Sequence, residues 1–390
     1  MTDKTKQKEI RFSDFQLDES IMEGLDSMGY YEPTPIQEKG IPIILQKKDL
    51  IGCAQTGTGK TAAFLLPIIQ NIINEKESGK GINTLIIVPT RELAVQIDQH
   101  LQGLSYFTGT SSLAVYGGGD GMSWDQQRNA FEQGADIIVA TPGRLIAHLQ
   151  MGYLKFDKLK HLVLDEADRM LDMGFYDDII KIVTELPKKR QTLLFSATMP
   201  TEIRKLANSL LQDPEEIKLA IAKPAEGILQ AIYKVEDKFK TKLIKELLKE
   251  KNLSRVLIFA STKSSVKILA RELKNEGMPV AAIHSDLIQS EREQVLLNFK
   301  SAHTNILVAT DIVSRGIDID NIDLVINYHV PMDAEDYVHR VGRTARAKST
   351  GVALTFVNRK DNRNLMKIEK LIGNKIFEIK VPGTVMKAER

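Results

Sequence analysis

Short apolar runs without polar alternation constrain the fold of this chain more than any other feature. They are rich in Ile, Val and Leu and are separated by longer segments with helical spacing, such as 242–249 and 264–275. Strands buried on both faces have this composition, and they occur in parallel sheets covered by helices. The predicted strands form two series, 50–53, 84–88, 137–140, 161–164 and 192–195, then 255–260, 280–283, 305–309, 324–328 and 352–357.

The two series of strands predict two α/β domains. The segment LAIAKPAEG at 219–227 contains Ala, Pro and Gly, lacks a core pattern and divides the strand series evenly. We therefore expect an N-terminal segment over 1–28, a first domain over 29–218, a linker over 219–227 and a second domain over 228–390.

The bulk composition excludes several classes of protein. Lys+Arg 53 against Asp+Glu 51 leave a net charge of +2, so any attraction for nucleic acid must come from local patches. One cysteine excludes a disulfide framework or a cysteine zinc site within the chain. The first residues lack the apolar core of a signal peptide, and the apolar runs are too short to cross a bilayer. We expect a cytoplasmic protein with no membrane partner.

The first predicted strand ends in AQTGTGKT, residues 54–61. Gly57 and Gly59 permit tight turns whose N–H groups can surround phosphate oxygens at a helix start. Lys60 would contact the β- and γ-phosphates, and the Thr61 hydroxyl would bind Mg²⁺. Ala54 stands where this pattern usually begins with glycine, and a chance glycine-rich loop is the alternative. The predicted nucleotide loop comprises Ala54, Gln55, Thr56, Gly57, Thr58, Gly59, Lys60 and Thr61.

A second predicted strand ends in HLVLDEAD, residues 161–168. Carboxylates at the C-terminal end of a parallel strand lie at the edge where such sheets bind ligands. Asp165 suits an indirect or water-mediated hold on Mg²⁺, and Glu166 could orient and deprotonate a water against the γ-phosphate. An acidic helix start, favoured by the helix dipole, is the alternative. Together with the upstream GKT, the pair predicts one Mg–ATP site.

A third motif, HRVGRTAR at 339–346, places arginines three residues apart with nothing acidic between them. Like charges this close predict an anionic partner, and a solvated basic helix face is the alternative.

These motifs resemble those of the DEAD-box ATP-dependent RNA helicases, notably compact bacterial members, over about 12–346. The resemblance implies two tandem RecA-like domains, each a parallel sheet covered by helices, joined by a short linker. It implies ATP and Mg²⁺ as cofactors, and RNA-stimulated ATP hydrolysis at an inter-domain cleft coupled to local unwinding of short duplexes or RNP remodelling. The partners it implies are RNA, contacted through its backbone, and RNP or ribosome-assembly proteins, with the chain a monomer.

The resemblance also assigns residue roles. GYYEPTPIQ at 29–37 resembles the adenine-binding motif, which implicates Gln37, Tyr30 and the upstream Phe12. Arg343 and Arg346 would be arginine fingers, and Asp318 would contact the ribose or the other domain. Phe259 matches a motif aromatic, with core packing as the alternative. RNA contacts are implied for Pro89, Thr90, Arg91, Gly118, Thr141, Pro142, Gly143, Arg144, Gln289, Arg292, Thr310 and Arg315, and inter-domain coupling for Asp168, Ser196, Thr198, His339 and Arg340.

Two positions depart from the family pattern, because Ala345 and Ser285 stand where glycine is usual. Three other functions compete with RNA unwinding. The first is a DNA helicase of the same wider group, which Gln37 with the DEAD and SAT motifs argues against. The second is an ATP-gated RNA clamp, which could share every motif. The third is a metabolic kinase, which has no use for HRVGRTAR or TPGR.

Overall fold

The computed structural model describes residues 10–55, 57–75, 81–117, 124–219, 227–249, 255–310, 322–344 and 351–386, except the side chains of 289 and 290. The chain divides into two compact units, Met1–Ala220 and Ile221–Arg390. Each unit is built on its own seven-stranded sheet.

The first unit contains a parallel sheet in the order β3-β4-β2-β5-β6-β1-β7. Its strands are β1 Leu50–Cys53, β2 Thr84–Ile87, β3 Ser112–Val115, β4 Ile137–Ala140, β5 His161–Leu164, β6 Gln191–Ser196 and β7 Glu215–Lys218. Its helices are α1 Glu19–Ser27, α2 Pro35–Leu45, α3 Lys60–Asn74, α4 Arg91–Leu104, α5 Trp124–Gln133, α6 Pro142–Gln150, α7 Ala167–Asp172, α8 Tyr176–Thr184 and α9 Thr201–Leu210, after a 3₁₀ turn at Phe12–Phe15.

Both faces of this sheet are buried, which explains the unbroken apolar runs. Successive residues of a strand point to opposite faces. In β6, Leu193 and Phe195 join the core cluster that contains α3, while Leu194 joins the cluster on the other face. A strand that is buried on both faces has no exposed positions for polar residues, so its sequence does not alternate. Burying each Leu or Phe side chain stabilises the fold by about 1.5–3 kcal/mol.

The second unit repeats this architecture with the parallel order β10-β11-β9-β12-β13-β8-β14. Its strands are β8 Ile228–Lys234, β9 Val256–Phe259, β10 Val280–Ile283, β11 Ile306–Ala309, β12 Leu324–Asn327, β13 Gly351–Val357 and β14 Phe377–Ile379. Its helices are α10 Asp237–Leu248, α11 Lys263–Asn275, α12 Gln289–Lys300, α13 Ala334–Val341, α14 Asn362–Ile372 and α15 Gly383–Met386, with 3₁₀ turns at Gly342–Thr344 and Arg359–Asp361.

The predicted strands all occur, each to within one residue at either end. The predicted helix at 242–249 begins earlier, at Asp237, and the one at 264–275 begins at Lys263. Strands β3, β7, β8 and β14 were not predicted. They lie at a sheet edge or beside one, and each has positions that are not buried, such as Glu215 and Lys218 in β7.

The division between the units falls at Ala220, inside the predicted linker 219–227, of which 220–226 lies outside the described residues. In the described part of the chain, no helix combines the length and apolar composition needed to cross a membrane.

Candidate nucleotide site and RNA interface

The order of strands divides the carboxyl edge of the first sheet into two groups of loops. The loops after β1, β5 and β6 are neighbours and carry the glycine-rich loop, DEAD and SAT. The loops after β3, β4 and β2 are neighbours on the other side and carry Tyr116, TPGR and PTRE. The first group forms the candidate nucleotide site, and the second forms the candidate RNA interface of this unit.

The glycine-rich loop takes its shape from two left-handed glycines. Gly57 has φ +80° and Gly59 has φ +89°. A Cβ on Gly59 would lie 2.5 Å from Gln37 Nε2 and 2.8 Å from Thr34 Oγ1, whereas a Cβ on Gly57 would have no neighbour within 4 Å in the described structure. Position 59 therefore requires glycine because of both its backbone angle and its close neighbours, whereas position 57 requires it because of the backbone angle alone.

Lys60 begins α3 and is 5% exposed. Its Nζ lies 3.8 Å from Asp165 Oδ1 and makes no hydrogen bond to any residue that the structure describes. A buried ammonium with one distant counter-ion has lost its water without a full set of acceptors. The amides of the first turn of α3 likewise have no partner within the helix. This donor set fits the oxygens of a bound phosphate chain.

Asp165 and Glu166 follow β5, and both are buried. The Asp165 carboxylate accepts a hydrogen bond from the Glu166 amide at 2.9 Å. Burial raises the pKa of Asp165 to about 6, although the Lys60 charge acts in the opposite direction. A cation would stabilise a carboxylate in this state, and the hydroxyl of Thr61, the residue after Lys60, is a second oxygen donor of the kind that Mg²⁺ prefers.

Glu166 adopts the left-handed region with φ +51°, which is uncommon for a residue other than glycine. Its Oε2 lies 3.1 Å from Arg169 Nη1. Such a conformation costs about 1–3 kcal/mol and is concentrated at functional positions. The geometry separates the two carboxylates, because Asp165 contacts Lys60 while Glu166 contacts Arg169.

The last residue of DEAD is bonded to the SAT segment after β6. The Asp168 amide donates to Ser196 Oγ at 3.3 Å. Asp168 Oδ2 accepts from the Thr198 amide at 3.0 Å and from its hydroxyl at 3.1 Å. The structure therefore joins the acidic strand end to the neighbouring strand end.

Of the three residues predicted to bind adenine, Gln37 bonds to the glycine-rich loop, whereas Phe12 and Tyr30 pack in or against the core. Gln37 is buried; its Nε2 donates to the Gly59 carbonyl at 3.0 Å and its Oε1 accepts from the Thr34 amide at 2.9 Å. Phe12 is 2% exposed and packs in the core cluster, with Tyr30 partly buried against the same cluster. Gln37 thus connects α2 to the loop, whereas the Phe12 ring has almost no surface exposed.

In the candidate RNA interface of the first unit, both predicted arginines lie over aromatic rings. Thr90 caps α4, and the guanidinium of Arg91 lies 4.7 Å from the Tyr116 ring centroid. Arg144, in the first turn of α6, lies 4.4 Å from the Trp124 ring centroid and donates from Nε to Gln127 Oε1 at 2.9 Å. Pro89 is buried, and Thr141, Pro142 and Gly143 lead into α6.

In the second unit, Arg340 is nearly buried. Its Nη1 donates to Asn327 Oδ1 and to the His329 carbonyl, each at 3.0 Å, and its guanidinium lies 5.0 Å from the Phe259 ring centroid. Phe259 is a core residue, as the packing alternative predicted. In the described structure the Nη1 group of Arg340 and the Phe259 ring are thus used inside this unit.

The remaining predicted residues of the second unit lie at its strand and helix ends. Arg292 donates from Nε to the Leu287 carbonyl at 3.1 Å and from Nη2 to the Ser285 carbonyl at 3.0 Å. Thr310 is buried directly after β11, and His339 and Arg343 are partly buried. Thr56, Gly118, Arg315, Asp318, Arg346 and the side chain of Gln289 lie outside the described residues.

The sequence did not point to several residues that support the site, namely Arg169, Tyr116, Trp124, Gln127 and His148. Tyr116 contacts Arg91 and Trp124 contacts Arg144, and in each pair the two residues are far apart in the sequence. Trp124 and Gln127 belong to a helix whose pattern has ordinary helical spacing. No motif in the sequence marks these residues, because only the sheet order brings them together with Arg91 and Arg144.

Two protein-family models match this chain, one in each half. The DEAD/DEAH box helicase family matches residues 34–206, and the helicase conserved C-terminal domain matches residues 239–348. An ATP-dependent RNA helicase, CshA, of Listeria monocytogenes is 44% identical, over 95% of this chain and 71% of the relative. An ATP-dependent RNA helicase, DbpA, of Bacillus subtilis is 41% identical, over 95% of this chain and 77% of the relative.

Among solved structures, S. cerevisiae Dbp5 bound to RNA and ADP BeF3 matches with a TM-score of 0.83 at 30% identity, over 95% of each chain. The prediction of two RecA-like domains is confirmed by this likeness and by the two parallel sheets. Both family matches and the identity to these relatives show that the chain belongs to the DEAD-box family of ATP-dependent RNA helicases.

Proposed function

We propose that this chain hydrolyses ATP when RNA is bound and uses that cycle to separate short RNA duplexes. The observation that supports this most strongly is the buried Lys60 ammonium, which lacks a hydrogen bond within the described structure and lies 3.8 Å from Asp165 Oδ1. A desolvated cation at the start of a helix, beside a carboxylate with a raised pKa, is an incomplete charge arrangement. The phosphates of a bound nucleoside triphosphate would supply the missing negative charge.

The cofactors follow from the same donor set. The amides around Gly57 and Gly59 and the Lys60 ammonium would hold the phosphates. Thr61 and Asp165 would hold Mg²⁺, which supplies charge neutralisation at the phosphate oxygens when bound. Among the residues that the structure describes, no group of three or more His, Cys, Asp or Glu forms a metal cage. A site of one or two protein oxygens completed by phosphates and water is the pattern that Mg²⁺ prefers.

Hydrolysis needs a group that takes a proton from the attacking water. Glu166 suits this role because it follows Asp165 at the same strand end and its carboxylate lies 3.1 Å from Arg169 Nη1. Arg169 would hold the Glu166 carboxylate in place for that proton transfer. Arg343 and Arg346 would supply positive charge to the transferred phosphoryl group from the second domain.

RNA would bind through its sugar–phosphate backbone. Backbone contacts position a strand without selecting its sequence, and 2′-hydroxyl contacts distinguish RNA from DNA. The bonds from Asp168 to Ser196 and Thr198 connect the DEAD segment to the neighbouring SAT loop, and they offer a route by which nucleotide state could affect RNA affinity. A strand bound only in a bent form would lose base pairs locally, since a ligand favours the state that it binds more tightly.

The test compares ATP turnover without nucleic acid, with single-stranded RNA and with single-stranded DNA of the same sequence, together with strand displacement on a short RNA duplex. We expect RNA to raise turnover well above both other conditions, and displacement to require ATP. Equal turnover in all three conditions would contradict the proposal. Stimulation by DNA equal to that by RNA would favour a DNA helicase, and slow RNA release in ATP without displacement would favour a clamp.

A cytoplasmic location, a monomeric state and RNP or ribosome-assembly partners stay predictions. Sedimentation of the purified chain would measure its oligomeric state, and crosslinking and sequencing of bound RNA in cells would identify its targets.

A further inference from the structure

A layered cluster lies behind one of the two RNA-side arginines. We call it the Arg144 stack, and it consists of Arg144, Trp124, Gln127, His148 and Tyr153. The guanidinium of Arg144 lies 4.4 Å from the Trp124 ring centroid. On the indole, His148 stacks at 3.9 Å with an interplanar angle of 13°. The arrangement fixes both the plane and the distance of the Arg144 guanidinium.

The hydrogen bonds of the cluster determine which nitrogen of His148 carries its proton. Gln127 Oε1 can only accept, and it lies 2.8 Å from His148 Nε2 and 2.9 Å from Arg144 Nε. His148 Nε2 must therefore donate, which leaves Nδ1 to accept from the Tyr153 hydroxyl. Burial, with the nearby Arg144 charge, lowers the pKa of His148 to about 4, so the ring is neutral at physiological pH. One oxygen of Gln127 thus holds two donors in a fixed arrangement.

The bond to Gln127 uses Nε of Arg144, and in the described structure the two terminal Nη groups make no hydrogen bond. Gly143, the preceding residue, has no described atom within 4 Å of where a Cβ would stand. Gln127 also donates to the Tyr116 carbonyl at 3.5 Å, and the Tyr116 ring lies under Arg91. The two arginines that face the same edge of the sheet are therefore linked through Gln127.

We propose that Trp124 is a positioning residue, which with Gln127 and His148 holds the Arg144 guanidinium so that its Nη groups contact an RNA phosphate. This inference rests on the proposed RNA-binding function. A flexible arginine must be ordered when it binds, whereas a stacked and bonded arginine is ordered beforehand. The face of the indole attracts the cation, and the planar fork then suits two phosphate oxygens.

The test measures three ATPase quantities for each variant: the RNA concentration that gives half-maximal stimulation, the maximal rate and the rate without RNA. The midpoint of urea unfolding is measured as well. Trp124→Leu keeps apolar volume without an aromatic face, whereas Trp124→Phe keeps the face. We expect Trp124→Leu to raise the half-stimulating RNA concentration about 5- to 10-fold with an unchanged maximal rate and rate without RNA, and Trp124→Phe to restore most of the affinity. Tyr106→Ala, at an exposed aromatic elsewhere in the unit, is the control and should change none of these quantities.

A double-mutant cycle with Arg144→Gln separates this inference from the proposed function. We expect Arg144→Gln to weaken RNA binding and to reduce the salt dependence by about one phosphate contact. Trp124→Leu should then have no further effect on the half-stimulating RNA concentration. Equal effects of Trp124→Leu with and without Arg144 would overturn the stack inference and leave the RNA role intact. An unchanged half-stimulating concentration in Arg144→Gln would overturn the RNA role of Arg144 itself. A Trp124→Leu protein that loses only stability or maximal rate would show that the stack is structural.

Discussion

At the scale of single residues, Gly57 and Gly59 share a left-handed backbone but differ in their surroundings. A left-handed residue with a Cβ costs roughly 1–2 kcal/mol, so Gly57→Ala should lower the free energy of unfolding by about that amount. Gly59→Ala should cost more, because its Cβ would lie 2.5 Å from Gln37 Nε2 and displace that side chain. Urea denaturation without nucleotide measures both values. Equal losses in the two variants would contradict the role of Gln37 as the neighbour that fixes Gly59.

Glu166 offers the second prediction at this scale. Glu166→Gln keeps the size of the side chain but removes the basic carboxylate, so ATP turnover should fall about 100-fold or more. ATP affinity should change little, because Lys60 and the loop amides would hold the phosphates. Single-turnover hydrolysis and nucleotide titration measure the two quantities. Glu202→Gln, at an exposed glutamate of α9, is the matched control. Turnover retained in Glu166→Gln would remove this residue from catalysis.

At the scale of elements, His161 and Gln191 join three parts of the first unit. They pair in register at the starts of β5 and β6, with His161 Nδ1 2.8 Å from Gln191 Oε1. Gln191 Nε2 donates to the carbonyls of Ile44 and Lys48, which ties the end of α2 to the sheet. This polar contact therefore connects the C-terminal end of α2 to the starts of two strands.

This contact predicts a pH dependence of stability. Burial lowers the pKa of His161 from 6.5 to about 4, so between these values the unfolded chain binds a proton that the folded chain does not. Stability is therefore lost as the pH falls from 6.5 toward 4, by about 2 kcal/mol between pH 7 and pH 5 for this one group. Urea denaturation at the two pH values, for wild type and His161→Gln, measures it. The stability difference between the two proteins should shift by this amount in favour of His161→Gln at pH 5, and a constant difference would contradict the prediction.

At the scale of the whole molecule, the two compact units would divide the catalytic groups between them. The first unit contains the nucleotide loop, and the second contains Arg343. If Arg343 acts as an arginine finger, Arg343→Ala should lower the maximal RNA-stimulated ATPase rate by a factor of about 10³ while leaving ATP affinity nearly unchanged. Steady-state ATPase and nucleotide titration check this, with Arg359→Ala, at an exposed arginine of the same unit, as the control. Wild-type turnover in Arg343→Ala would remove Arg343 from the role of arginine finger.

The ability to predict the fold from the sequence depended on burial. Strands such as β2 and β5 are buried on both faces, so their apolar runs are visible without any tertiary information. The edge strand β7 reads Glu-Glu-Ile-Lys and buries one residue, and it becomes a strand because β1 provides backbone hydrogen bonds along its length. Local preference for strand structure is weak at such positions, and pairing with a neighbour determines the outcome.

The sequence by itself determined the two α/β domains and the motif residues, because buried strands and phosphate loops need particular residue types at fixed spacing. The tertiary structure decided which loops are neighbours, since strand order is a property of the whole sheet. It therefore decided that Gln37 bonds to the Gly59 carbonyl, that Asp168 bonds to Thr198, and that Trp124 and Gln127 hold Arg144. These partners are distant in sequence, and their contacts arise only when separate elements pack against one another.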